Sequence, residues 1–222
     1  MREISVFDVI GPNMIGPSSS HTAGALRIAR MAGKMAKAPI LRVRFVLYGS
    51  FARTYRGHGT DRALTAGILG YEPEDKRIRH SLEIAKEKGI EVSFETNTTR
   101  QDVHPNTVEI IAEDAEGDKL DVVGESIGGG SARLKSIDGI EVNISGELET
   151  LVIMQHDEPG VIAAITHYCY EENINIAYLN VYRESKHEKA FSVIEVDGDI
   201  PECLVKKIQS LPSVKQVNLI SV

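Results

Sequence analysis

The chain has 222 residues, enough for one large domain or two small ones with a real core. Its hydrophobic fraction of 42% and charged fraction of 26% are those of an ordinary globular protein. A net charge of −7 without a basic block argues against a nucleic-acid partner. No apolar run approaches the roughly 18 residues that span a membrane. The first residues hold no signal-peptide core, so the expectation is a cytoplasmic protein without a membrane partner.

Residues 1–20 are a short lead-in, in which Asp8-Val9-Ile10-Gly11-Pro12 reads as a strand end or turn. It feeds Gly16-Pro17-Ser18-Ser19-Ser20-His21-Thr22, three serines, a histidine and a threonine in a row. From His21 to Ala38 the apolar residues Ala25, Ile28, Ala29, Ala32, Met35 and Ala36 recur at helical spacing, with Arg27, Arg30, Lys34 and Lys37 on another face. The hydroxyls therefore stand where a helix begins. Free backbone N–H groups and the positive end of the dipole suit that position either to a simple serine N-cap or to an anion such as a substrate carboxylate.

Leu41–Tyr48 alternates arginine with valine and phenylalanine, the period of a half-buried strand. It runs into a second unusual stretch, Gly49 to Asp61, in which Gly57 and Gly59 bracket His58. This is no dinucleotide fingerprint, because Arg62 stands where a third glycine belongs. Thr60 or Asp61 is placed to cap a helix from Arg62 to about Leu69, and a further helix is expected from Lys76 to Lys88. His80, among charges, reads as a surface residue. Residues 90–94 alternate as a strand, and a polar loop follows that ends in His104-Pro105-Asn106. Residues 108–112 and 120–124 read as a hairpin. Gly124-Glu125-Ser126-Ile127-Gly128 formally matches the serine-hydrolase elbow. That reading is rejected, because the elbow must turn a strand into a helix, and two more glycines follow here. A glycine-rich bend that lets backbone approach a ligand or strand fits better. Ile140–Ile144 is one more short strand.

The pattern changes at about Gly146-Glu147. From Glu149 onward it reads strand, helix, strand, strand, helix, strand, a βαββαβ unit of ferredoxin-like type. The fold class is therefore α+β throughout, with mixed strands and helices on one face in residues 1–147, and a βαββαβ sandwich in 148–222. The two cysteines, Cys169 and Cys203, are far apart and form no metal-ligand spacing. They read as reduced structural thiols.

The C-terminal unit, with Asp157-Glu158-Pro159-Gly160-Val161 at the first strand–helix turn and Asn175-Ile176-Ala177 on the second strand, resembles an ACT domain, a small regulatory module that usually pairs and often binds amino acids. The N-terminal part resembles the beta domain of the iron–sulfur L-serine dehydratases. The motifs GPSSSHT at 16–22, GHGTD at 57–61, HPN at 104–106 and the glycines at 128–130 fall in that family's order. The resemblance covers essentially the whole chain and is similar to the separate beta chain of a two-chain enzyme.

The resemblance implies a carbon–nitrogen lyase. L-serine would undergo β-elimination to aminoacrylate and yield pyruvate and ammonia, a step of serine catabolism that feeds gluconeogenesis. It implies His21 and His58 as catalytic residues. Ser18, Ser19, Ser20 and Thr22 would bind substrate, with Thr60, Asp61, His104 and Asn106 beside them, Thr60 and Asp61 also positioning His58. In the ACT part it implies Asp157, Gly160, Val161, Asn175 and Ile176 around an effector. The family's 4Fe-4S cluster needs three or four thiolates, and this chain has two, both in the ACT region. The cluster is therefore expected on an alpha-chain partner and not on ligands from this chain. Homodimerisation through the beta or ACT domains is expected too. The competing class is a non-catalytic subunit that senses an amino acid.

Overall fold

The computed structural model describes residues 13–100, 102–183 and 185–220. The expected strand end at residues 8–12 lies outside them, as does Glu184, the first residue of the hairpin expected between the second and third strands of the C-terminal unit. The chain divides between Gly139 and Ile140 into two compact units.

The first unit opens with a π-helical turn, Ser19–Gly24, that runs straight into α1, Ala25–Gly33. Strand β1 is Ile40–Tyr48, and α2, Gly49–Thr54, follows it without a gap. Helix α3 is Thr60–Ile68; a 3-10 turn, Lys76–His80, leads into α4, Ser81–Glu87. Four more strands complete the unit: β2 Glu91–Asn97, β3 Thr107–Asp114, β4 Lys119–Gly128 and β5 Ser131–Ile137. They lie side by side in the order β2-β1-β3-β4-β5. The sheet is mixed as expected, with β1 parallel to β2 and antiparallel to β3, and the remaining pairs antiparallel.

Alternation decides the two faces of the sheet. Val43, Phe45, Leu47, Val108, Ile110, Val122 and Leu134 are buried, and α1 packs against β3, β4 and β5. The intervening Arg42 and Arg44 stay in solvent, where they pair with Glu113 and Glu95. The apolar stripe of α1 is core as expected: Ala25, Ile28, Ala29, Ala32 and Met35 are buried. Full burial of a side chain such as Ile28 or Phe45 stabilises by about 1.5–3 kcal/mol.

Three expectations need correction. The first helix begins earlier, at Ser19, and ends at Gly33 rather than Ala38, because Met35 and Ala36 already turn back on Ala32 and Gly33 in tighter bonds. The stretch Lys76–Lys88 is two elements, because His80 leaves helical geometry at φ −117°, ψ 16°. The residues after Gly49 form the short helix α2 where no element was expected. The rejected elbow stands as read, since Ser126 lies within β4 and the glycines lead into another strand.

The second unit contains β6 Ile140–Ile144, β7 Glu149–His156, α5 Val161–Glu171, β8 Asn175–Arg183, β9 Lys189–Asp197, α6 Glu202–Gln209 and β10 Val214–Ile220. The last four strands form an antiparallel sheet in the order β10-β7-β9-β8, the ferredoxin-like arrangement expected from the βαββαβ pattern. Its core joins Leu151, Ile153, Ile194 and Val196 of the central strands to Ile165 and Cys169 of α5 and Leu204 and Ile208 of α6.

Candidate active site

The π-helical turn sets the first half of the site. Ser18 is its N-cap: it is extended at φ −144°, ψ 125°, and its Oγ accepts the backbone N–H of His21 at 3.2 Å. One serine thus serves as the cap. Ser19 and Ser20 are half-buried, and among the described residues their side chains hydrogen-bond to nothing. Gly16 precedes the turn at φ +137°, and a side chain there would collide with Thr22, so only glycine lets this loop close over the turn. A π-type turn widens the helix locally and is a recurrent feature of functional sites.

His21 projects from this turn and is held at both ring nitrogens. Ser18 Oγ lies 3.4 Å from Nδ1, and Ser50 Oγ, on α2, lies 3.0 Å from Nε2. The edge of the imidazole meets Phe51, with ring centroids 5.2 Å apart and an interplanar angle of 72°. His58 approaches from the loop before α3, its ring centroid 4.8 Å from that of His21. The two histidines of the two glycine-framed motifs are therefore brought together. Burial lowers the pKa of His21, and the neighbouring His58 charge lowers it further.

The backbone of His58 is fixed at both ends of its peptide: its N–H donates to the Thr54 carbonyl at 3.0 Å, and its carbonyl accepts the Thr22 hydroxyl at 3.4 Å. His58 Nδ1 is buried and has no partner among the described residues. Neither Thr60 nor Asp61 hydrogen-bonds to His58, so Thr22, and not they, ties the two motifs. Nor does either cap α3. Gly59, left-handed at φ 69°, is its N-cap, with no side-chain bond. Thr60 is fully buried and its Oγ1 has no partner among the described residues; Asp61 accepts the N–H of Arg62 at 2.8 Å.

The His104-Pro105-Asn106 loop reaches the same neighbourhood by its backbone. Pro105 O accepts the N–H of Ser50 at 2.6 Å and that of Phe51 at 3.3 Å. Gly49, at φ +52°, makes this possible, since a Cβ there would lie 2.6 Å from Pro105 O. His104 Nδ1 accepts the N–H of Asn106 at 3.2 Å, and Asn106 Nδ2 donates to Ser126 O at 3.4 Å. His104 is thus engaged within the loop, whereas Asn106 reaches β4 by its Nδ2 and keeps a buried Oδ1 that has no partner among the described residues. Ser126 Oγ in turn occupies the space above Gly24 where a larger residue would place its Cβ, so Gly24 lets β4 press against the π-helical turn.

A cleft of about 880 Å³ opens on this unit, with Pro17, Thr22 and His58 on its wall and Arg56, Arg62 and Arg79 among its lining. The arginines and Ser50 are the site residues that sequence reasoning missed. Ser50 had one weak signal, its place directly after a strand-ending glycine. The three arginines had none, being scattered through charged stretches.

In the second unit Asp157 and Asn175 each have partners within the fold. Asp157 Oδ2 accepts from Arg183 at 3.0 Å and from the N–H of His187 at 3.1 Å. The His187 N–H, with the Arg183 guanidinium, holds the Asp157 carboxyl below its ordinary range. Asn175 Nδ2 donates to Asp197 at 2.6 Å. Gly160 is the left-handed N-cap of α5, Val161 is buried behind it, and Ile176 packs against the core. Arg183 and Asn175 are the two ends of β8, so roughly 25 Å of strand separates the Asp157 turn from Asn175. One copy of the unit does not bring the two groups to one pocket.

The thiols do not fit a resident iron–sulfur cluster. Cys169 is buried in the second unit's core, where burial raises its pKa, and Cys203 is exposed with its Sγ 3.5 Å from Glu172. Two thiols in these settings fall short of the three or four thiolates a cluster requires. Among the described residues no group of three or more His, Cys, Asp or Glu side chains could hold a metal ion, and no helix is long and apolar enough to cross a membrane.

Residues 5–136 match the family model described as serine dehydratase beta chain, and residues 149–213 match that of the ACT domain. The chain is 39% identical over 221 residues to a probable L-serine dehydratase, beta chain, of Bacillus subtilis (strain 168), covering 100% of both. It is 40% identical over 208 residues to the L-serine dehydratase, beta chain, of Peptoniphilus asaccharolyticus, covering 94% of each. A D-3-phosphoglycerate dehydrogenase of Methanocaldococcus jannaschii is 29% identical over 62% of this chain and 26% of its own length. Matched by the family model over most of its first unit and by two beta chains over nearly its full length, the chain belongs to the serine dehydratase beta-chain family.

Proposed function

We propose that this chain is the beta subunit of a two-chain L-serine dehydratase, which with an alpha chain converts L-serine to pyruvate and ammonia. The observation that carries the reading is the 4.8 Å approach of His21 and His58, in a chain like named beta chains along its whole length. The reaction removes the Cα proton and expels the β-hydroxyl, giving aminoacrylate, which hydrolyses. Burial and the neighbouring imidazole hold the His21 pKa below its ordinary value, so near neutrality its ring is available as a proton acceptor. The uncommitted hydroxyls of Ser19 and Ser20, with the arginines of the cleft, suit a substrate that carries a carboxylate. The 4Fe-4S cluster is assigned to the alpha chain.

The test is anaerobic co-expression with a cluster-bearing alpha chain, followed by a serine-dependent pyruvate assay. Activity that needs both chains supports the reading. An intact cluster without activity refutes it.

Regulation through the ACT domain belongs to the same proposal. Because β8 separates Asp157 from Asn175, an effector site that uses both draws one group from each of two paired copies, which makes homodimerisation part of the reading. Sedimentation of the full chain with and without L-serine tests this. The second reading, a non-catalytic amino-acid sensor, is favoured by the likeness to the dehydrogenase, an enzyme named for other chemistry. It would stand if the chain bound L-serine yet conferred no activity on any alpha chain.

A further inference from the structure

We propose that Ser50 is a positioning residue for His21, holding the neutral imidazole with its proton on Nε2, and that the His104-Pro105-Asn106 loop serves the site by holding Ser50. The inference rests on His21 being a working member of the site proposed above.

The hydroxyls around the ring define the arrangement. Ser18 Oγ already accepts the backbone N–H of His21 at 3.2 Å, which leaves its own proton to donate to Nδ1, 3.4 Å away. A neutral imidazole has one donor and one acceptor nitrogen. With Nδ1 accepting, Nε2 carries the proton, and Ser50 Oγ at 3.0 Å receives it. Among the described residues no carboxylate hydrogen-bonds to His21, so hydroxyls alone choose its tautomer. The one titratable group whose ring faces it is His58.

Ser50 can do this because its backbone is clamped. Its N–H and that of Phe51 both donate to Pro105 O, and its carbonyl accepts the Thr54 hydroxyl at 2.8 Å. Phe51, fixed by the same carbonyl, closes the edge of the imidazole. A line of contacts thus runs from Pro105 through Ser50 to Nε2, and the loop that carries His104 and Asn106 contributes mainly by its backbone.

The test compares Ser50→Thr with Ser50→Val, two side chains of nearly equal volume of which only threonine keeps the hydroxyl. The ring ¹⁵N shifts of His21 are read by NMR in the full chain at a pH where the ring is neutral. Wild type and Ser50→Thr should show a protonated Nε2 and a bare Nδ1, and Ser50→Val a mixture of tautomers. In the reconstituted enzyme Ser50→Val should lower kcat about tenfold to a hundredfold with little change in KM, and Ser50→Thr should recover most of it. Identical His21 shifts in wild type and Ser50→Val would overturn the proposal. Full activity of His21→Ala would instead sink the reading of His21 as a site member, and the NMR comparison separates the two failures.

Discussion

The turn at Ser18–Thr22 and the turn at Asp157–Val161 look alike in sequence, each a polar run with glycine and proline before a helix. In the structure they differ in what their polar atoms are doing. Around the first, among the described residues, Ser19 and Ser20 keep their hydroxyls uncommitted, and His58 Nδ1 and Thr60 Oγ1 are buried without partners. Around the second, Asp157 is tied to Arg183 and His187, and Asn175 to Asp197. Unmatched polar groups that converge mark a place prepared for something else, since an unsatisfied buried group costs roughly 1–3 kcal/mol. Matched ones mark scaffold. In a single copy the first region leaves polar atoms open, and the second pairs its own.

The strongest way to break that contrast is to disturb the packing beneath the first turn. Gly24→Ala would drive a methyl into Ser126 Oγ and should destabilise the first unit by about 1–3 kcal/mol. Ser126→Gly in the same chain should restore most of the loss, and denaturant melts of the two single variants and the double variant read the coupling. Additive losses would mean that β4 does not hold the turn.

Acid titration sharpens the contrast at a smaller scale. His21 has a folded pKa below the ordinary 6.5, so the folded state takes up its proton less readily than the unfolded chain does. Its effect is absent well above 6.5, and stability is lost as the pH falls below that value toward the lowered folded pKa. His21→Asn should therefore flatten the decline of stability in mild acid, measured as melting temperature against pH. A decline unchanged by the substitution would contradict the burial argument.

Asp157 titrates in a different window. Its carboxyl is favoured in the charged form, so the stability it lends is present above the ordinary 3.8 and disappears as pH falls through its lowered value. Asp157→Asn should lower the melting temperature slightly at neutral pH, chiefly in the second unit. The difference from wild type should vanish only in strong acid. A difference that disappears already in mild acid would mean that the anchor rests on some other group.

The sequence made the βαββαβ unit legible almost residue by residue, because alternation and turn residues agree there at every step. The site was legible where its chemistry is local, in the serine run with His21 and in the glycine-framed His58. It was not legible where meaning arises from contact. Ser50 follows a glycine at a strand end, and a glycine there reads as a turn. Only the approach of Pro105, from a loop far along the chain, folds Gly49–Thr54 into α2 and aims Ser50 at His21. Thr60 and Asp61 were misread as caps for the converse reason: Gly59 takes the left-handed cap, and Thr60 turns inward. The surroundings of His104 and Asn106 were not legible either, because the sequence does not show that His104 Nδ1 accepts the Asn106 N–H or that Asn106 Oδ1 is buried without a partner among the described residues.

The central claim is that His21 and His58, brought together from two motifs, serve the elimination of L-serine. The direct measurement is serine-dependent pyruvate formation by the anaerobically reconstituted enzyme, for wild type, His21→Ala and His58→Ala at equal cluster content. The expected result is a loss of at least about a hundredfold in kcat/KM for each variant. Two variants as active as wild type would contradict it.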